Sequence, residues 1–311
     1  MKRIITGFLL VSIAILASMS GCLESEEVGG HEYVDDLGNT ISLNGTPEKV
    51  ITLTPGLTEM VYYVEAGDKI VGCDSSSNHP DDTQDIEKVS SWQGLDTEKI
   101  LSLSPDLVLM DKNLDASGEK YDELKGIGLT VYMIYPKSIN ETMEVLRDLS
   151  RIMGTEEDSE EKIRSLEGRV DAVGESASGI DEEDRPLVLH VTYYEKGSDP
   201  WVMTDSTFSG DLIETAGGIP SVEDPKGLAI QISVERMLEL DPDMILTSQS
   251  SLWPTTSRED ILSDEAMEGL SAAENRRVYD VEGDWMDRTG PRMVDGLEAV
   301  QGHINDFVEE A

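Results

Sequence analysis

Thr97 to Leu109 reads TEKILSLSPDLVL, and 137 positions later Val234 to Leu246 reads VERMLELDPDMIL. An acid, a base, an apolar pattern and a Pro-Asp pair fall in register. Glu98 and Glu235 each sit at the start of a short helix, where the partial positive charge on free N–H groups favours an acid. Pro105 and Pro242 end those helices, because proline lacks an N–H and pushes the preceding residue out of the helical region. The continuous apolar runs that follow, Leu107 to Met110 and Met244 to Leu246, have the length and composition of strands buried on both faces. Helix, turn and strand of this kind are common in α/β proteins, so a chance match is the competing reading. Thirteen aligned positions sharing the same acid, proline and aspartate favour duplication, and the chain reads as two related halves.

The remaining sequence supports that division. With 311 residues the chain holds two domains of ordinary size, each able to bury its own core. Val34 to Ile41 alternates around Gly38-Asn39 and predicts an opening hairpin. Val50 to Leu53 is a strand run broken by Pro55-Gly56; Thr58 is expected to cap a helix over 59–65, and Lys69 to Gly72 is the next strand. Val131 to Tyr135 closes the first strand set, and strands alternating with helices predict a parallel sheet. A helical period runs over 139–153. A charged one with little apolar surface follows from Ser159 to about Val173 and reads as a connector. The second half opens at Leu187 to Val191 and closes with a helix over 292–308. The expected layout is residues 31–154 as the first lobe, 155–180 as a connecting helix and 181–311 as the second lobe.

Lys2 and Arg3, the mostly apolar Ile4 to Ala17 and the small residues before Cys22 fit a secretory signal over 1–21, with 22–30 as a polar, acidic tether. Met19-Ser20-Gly21-Cys22 resembles a lipoprotein signal, with Cys22 as the lipidated residue and Met19 standing where leucine is usual. An uncleaved anchor is the alternative. Either way the rest of the chain lies on the extracytoplasmic face of the cell membrane. Cys73 is the only other cysteine, which argues against a structural disulfide. The 64 acids against 24 bases give a formal charge of −40, a field that repels nucleic acid and anionic lipid surfaces. Dense carboxylates of this kind also suit a salt-rich habitat, although solvated loops and helix faces account for much of the charge.

Several segments together resemble the substrate-binding proteins of ABC importers for cobalamin, iron-siderophores and haem. They are Val34-Asp35-Asp36-Leu37-Gly38, the run Val50 to Pro55 followed by Thr58-Glu59, Ser104 to Val108, Ala216-Gly217-Gly218, and Arg288-Thr289-Gly290-Pro291-Arg292. Ser91-Trp92-Gln93-Gly94 and Gly283 to Arg288 look most like the vitamin B12-binding members. The resemblance implies an α/β fold of two Rossmann-like lobes joined by one long helix, with a ligand cleft between them. It implies ligand contacts at Pro55, Gly56, Trp92, Trp201, Asp284, Trp285 and Arg288. A corrin or porphyrin offers a wide apolar face with polar edges, which suits tryptophan and a few fixed polar groups. Core packing is the alternative for each tryptophan, Trp253 included. Other aromatic positions that B12 binders tend to use correspond here to Ser76, Asp111 and Ala229, so a corrinoid leads while an iron-siderophore or haem stays open.

The same resemblance implies that Glu98 and Glu235 dock on a permease dimer, which works with its ATPase. Helix N-terminal charge is the simpler role for both. The implied cargo is a cobalt- or iron-containing macrocycle or chelate, with no resident cofactor. A surface α/β enzyme is the rival from another class, and an adhesive lipoprotein is third. No G-x-S-x-G, H-E-x-x-H, P-loop or G-x-G-x-x-G occurs, and His31, His79, His190 and His303 show no metal-ligand spacing. His79 is within reach of a metal at the cleft rim, while a solvated loop histidine is the simpler reading.

Overall fold

The computed structural model describes residues 30–310, apart from 92, 116, 228 and 250–255. The expectations for the signal, the tether, Cys22, Trp92 and Trp253 fall outside the described residues.

The chain opens with an antiparallel hairpin, β1 (His31–Val34) and β2 (Thr40–Leu43), in which Tyr33 faces Ile41. The first lobe follows: β3 (Val50–Thr52), α1 (Pro55–Tyr63), β4 (Ile70–Asp74), β5 (Lys88–Ser91), β6 (Gly94–Leu95), α2 (Thr97–Leu103), β7 (Leu107–Asp111), α3 (Glu119–Gly126) and β8 (Val131–Ile134). Its sheet order is β6-β5-β4-β3-β7-β8, with only β6 antiparallel. Two helices come next, α4 (Ile139–Met153) and α5 (Glu156–Ala177). The second lobe contains β9 (Leu187–Tyr193), β10 (Trp201–Val202), α6 (Phe208–Thr215), β11 (Ile219–Pro220), β12 (Ile230–Gln231), α7 (Val234–Leu240) and β13 (Met244–Gln249). It finishes with α8 (Arg258–Leu262), α9 (Ser271–Glu274), β14 (Val278–Glu282), α10 (Gly283–Met286) and α11 (Met293–Glu310). Its order is β12-β10-β9-β13-β14, with β11 parallel to β9.

The repeated unit folds alike in both lobes. It forms α2 and β7 in the first and α7 and β13 in the second, each strand lying between the lobe's opening and closing parallel strands. The likeness extends to bonds the sequence reading did not anticipate. Asp96 caps α2 by accepting from Lys99 N, and Ser233 caps α7 by accepting from Arg236 N. Ser104 and Asp241 end the two helices in the left-handed region, at φ 51° and 42°. The aspartate of each Pro-Asp pair fastens the neighbouring strand. Asp106 Oδ2 accepts from Glu48 N and Lys49 N at 2.9 Å, and Asp243 Oδ2 accepts from Leu187 N at 2.8 Å.

Period-two alternation divides each buried strand between two cores. Leu107 and Leu109 face the shared core while Val108 and Met110 face one confined to the first lobe; Met244 and Leu246 face the shared core while Ile245 faces one confined to the second. That shared core crosses α5, which corrects the expectation of a connector with little apolar surface. Ser159, Ile163, Leu166, Val170, Val173 and Ala177 form one buried stripe, spaced by three and four residues. It packs against α4 on one side and α11 on the other. Arg169 adds ion pairs to Asp295 and Glu298 of α11 at 2.6 and 2.7 Å. Helix α1 also differs from expectation. It starts at Pro55, the position where a missing N–H costs nothing, and Thr58 lies buried inside it, bonded to Thr52 and Ser77.

Candidate ligand-binding cleft

Ligands of open α/β sheets bind beyond the carboxyl ends of the strands, and here those ends of both sheets border one cavity of about 430 Å³. Asn113, Tyr135 and Lys137, which follow β7 and β8, line it from the first lobe. Met203, Phe208 and Asp287 line it from the second. Aromatic faces among a few polar groups are the usual chemistry of a small-molecule site. Tyr135 is fixed by its N–H, which donates to Asp36 Oδ2 at 2.5 Å, and Lys137 Nζ stands 5.0 Å from its ring centre. Phe208 opens α6 directly after the capping Thr207.

Beside this cavity the lobes meet in a polar network. Glu59 of α1, only 2% exposed, accepts from Arg292 Nε and Nη2 at 2.9 and 2.7 Å and from Arg288 Nη1 at 3.1 Å. Asn78 Oδ1 accepts from Arg288 Nη1 at 2.7 Å, and Asp284 pairs with both arginines at 2.7 and 3.3 Å. Two carboxylates therefore face two guanidiniums, so the partly dehydrated charges balance. The bond to Glu59 raises the Arg292 pKa above the ordinary guanidinium value. The backbones also touch: a Cβ on Gly56 would lie 2.4 Å from Thr289 O. Only glycine fits there.

Asp287 faces solvent in the cavity, yet the protein crowded around it pushes its carboxyl up to about 6; a bond from Ser248 and the charge of Arg288 act the other way. Beneath it Ser248 Oγ lies 2.5 Å from His190 Nε2, and His190 Nδ1 lies 3.0 Å from Ser209 Oγ. Burial pushes the His190 pKa down to about 4. A histidine held neutral, with both neighbouring hydroxyls buried and a serine between it and the acid, lacks the order of a nucleophilic triad. Burial likewise pushes Asp111, at the end of β7, up to about 6 against a bond from Asn113 N.

The residues proposed from sequence separate into groups. Pro55 and Gly56 form the first turn of α1 at the lobe contact, and Asp284 and Arg288 belong to the network across it. Trp285 is half-buried in α10, its backbone packed against Gly296 of α11. Trp201 is 42% exposed on β10, opposite Tyr193 and Gln231. Glu98 and Glu235 are exposed on the repeated helices. His79 borders a separate depression of about 330 Å³ with Tyr62 and Arg169, not the cavity. Sequence reasoning missed Tyr135, Phe208, Asp287, Glu59, Asn78 and Arg292. Tyr135 carried a usable signal, an aromatic closing a buried strand of a parallel sheet. Among the described residues no cluster of His, Cys, Asp or Glu suits a metal ion, and no helix is long and apolar enough to cross a membrane.

Known proteins resemble the chain over most of its length. A family model described as periplasmic binding protein matches residues 50–284. An uncharacterized ABC transporter substrate-binding lipoprotein of Bacillus subtilis, YvrC, is 27% identical over 276 residues, which cover 87% of this chain and 84% of the relative. A vitamin B12-binding protein of Vibrio cholerae is 25% identical over 259 residues, covering 81% and 87%. Among solved structures, the apo haem-binding protein RhuT of Roseiflexus superposes with a TM-score of 0.71 at 23% identity, over 85% of this chain and all of the other.

Proposed function

The chain belongs to the periplasmic binding protein family, and on that premise we propose that it captures a corrinoid in the inter-lobe cavity and delivers it to an ABC importer. Family members bind solutes and are not enzymes. The observation that carries the reading is the cavity itself, placed at the carboxyl ends of both sheets and lined by Tyr135 and Phe208 from opposite lobes. An aromatic from each side suits a flat macrocycle held between them. The B12-binding relative favours a corrinoid. Haem or an iron-siderophore is the second reading, favoured by Lys137 and Lys226 on the two walls, which suit a ligand with carboxylate edges.

Trp92, Trp201 and Trp285 are proposed as further contacts, and Cys22 as the lipid anchor that keeps the protein on the extracytoplasmic face. Glu98 and Glu235 are proposed to dock on the permease dimer. Titrating the purified chain with cyanocobalamin, haem and ferric siderophores, followed by tryptophan emission, tests the reading. It expects saturation by cyanocobalamin without turnover. Saturation by haem or a siderophore alone would transfer the assignment to that class.

A further inference from the structure

Seven large apolar side chains are exposed among the described residues, and two of them, Leu101 and Leu238, at 43% and 37%, occupy the same position of the repeated unit. Their neighbours Ile100 and Met237 are fully buried, so each short helix turns one apolar side chain inward and the next outward in both lobes. Leu101 stands one turn beyond Glu98 and Leu238 one turn beyond Glu235, so each acid and leucine share a helix face. Both acids are exposed and make no ion pair among the described residues. The bases beside them are engaged within the chain: Lys99 pairs with Glu87 at 2.6 Å and Arg236 with Glu239 at 3.1 Å.

The fold starts both repeated helices beside the carboxyl ends of their sheets, the ends that border the cavity. Asp96 N donates to Val89 O beside the carboxyl end of β4, where α2 begins; Gln231 lies opposite Trp201, itself opposite Tyr193 at the carboxyl end of β9, where α7 begins. Both patches therefore flank the mouth of the cleft. Resting on the importer reading above, we propose that Leu101 and Leu238 are the apolar half of a docking patch copied on the two lobes. Glu98 and Glu235 supply the charged half. The occupant is a two-fold permease that offers, twice, a basic side chain beside an apolar pocket. Matching duplicated patches to a two-fold partner gives both lobes the same contact. The acids orient the encounter, while a leucine seated in a pocket slows departure.

The test measures binding of the full chain to nanodiscs containing the importer's permease and ATPase complex, with empty anionic-lipid nanodiscs as the control. The variant with Leu101→Ser and Leu238→Ser should bind at least 10-fold more weakly, chiefly through faster dissociation. Its thermal midpoint and cyanocobalamin titration should match the parent's. Wild-type docking by this variant, alongside loss of docking in Glu98→Lys with Glu235→Lys, would overturn the leucine assignment while leaving the importer reading intact. Wild-type docking by both variants would remove the importer docking of these helices altogether. Leucine-dependent binding to empty nanodiscs would assign the patch to the membrane surface and overturn the proposal.

Discussion

The seam along α5 and the polar network beside the cavity, the floor on which the lobes meet, join the same two lobes by opposite means. The seam is apolar: Ile163, Leu166, Val170 and Val173 close a core that continues into α4 on one side and α11 on the other. The floor is ionic: Glu59 of the first lobe is gripped by Arg288 and Arg292 of the second. Apolar contact is non-directional and holds the lobes together whatever occupies the cleft. Ion pairs with fixed partners set the angle at which the lobes meet, and water can replace each partner if they part. The difference teaches that lobe attachment and lobe orientation are separable in this molecule, and that closure around a ligand should be small.

Removing the centre of the floor should have the largest effect. Glu59→Ala leaves two guanidiniums without their shared carboxylate and should cost about 4 kcal/mol of unfolding free energy in urea. It should also weaken ligand binding, because the lobe angle changes. A loss under about 1 kcal/mol, the size of a surface pair, would break the comparison. At the seam, Leu166→Ala should cost about 3 kcal/mol through the cavity it leaves while ligand affinity stays unchanged. If affinity fell as well, attachment and orientation would not be separable.

Smaller effects sharpen the picture at the cavity. Tyr135→Ala and Phe208→Ala should each weaken ligand binding about 10-fold, or 1.4 kcal/mol, and shift the urea midpoint little; calorimetric titration reads the first and fluorescence the second. The smallest effect concerns pH. His190 has its pKa lowered from 6.5 to about 4, so the unfolded chain binds a proton that the folded chain refuses. Its contribution is present above pH 6.5 and is lost as pH falls from there through 4. Urea midpoints measured over that window should fall more steeply for the parent than for His190→Gln. Equal slopes would remove the claim that His190 is held neutral.

Much of the fold was legible because buried parallel strands leave a local trace. Leu107 to Met110 and Met244 to Leu246 read as strands since both faces meet a core, and Pro105 and Pro242 marked where the helices stop. The bond between Arg292 and Glu59 left none, because the two lie 233 residues apart and a glutamate inside an apolar helix looks like any other acid. The resemblance named Asp284 and Arg288 as ligand contacts, but nothing in Gly283 to Arg288 announces their bonds to Asn78 and Glu59 of the opposite lobe. Tryptophans were favoured as ligand contacts for their area, and that reasoning passed over the smaller aromatics Tyr135 and Phe208 on the cavity walls. Tyr135 had its place at the end of a buried strand as a signal, while Phe208, opening α6, had none. The apolar stripe on α5 was obscured by the charged residues interleaved with it.

The central claim is that the cavity between the lobes is where cargo binds, and the most direct measurement is cyanocobalamin titration of the parent chain and of a variant carrying both Tyr135→Ala and Phe208→Ala. The account predicts saturable one-to-one quenching of tryptophan emission in the parent, and a dissociation constant about 100-fold higher in the variant at unchanged thermal midpoint. Equal affinity in both proteins would place the cargo elsewhere and contradict the account.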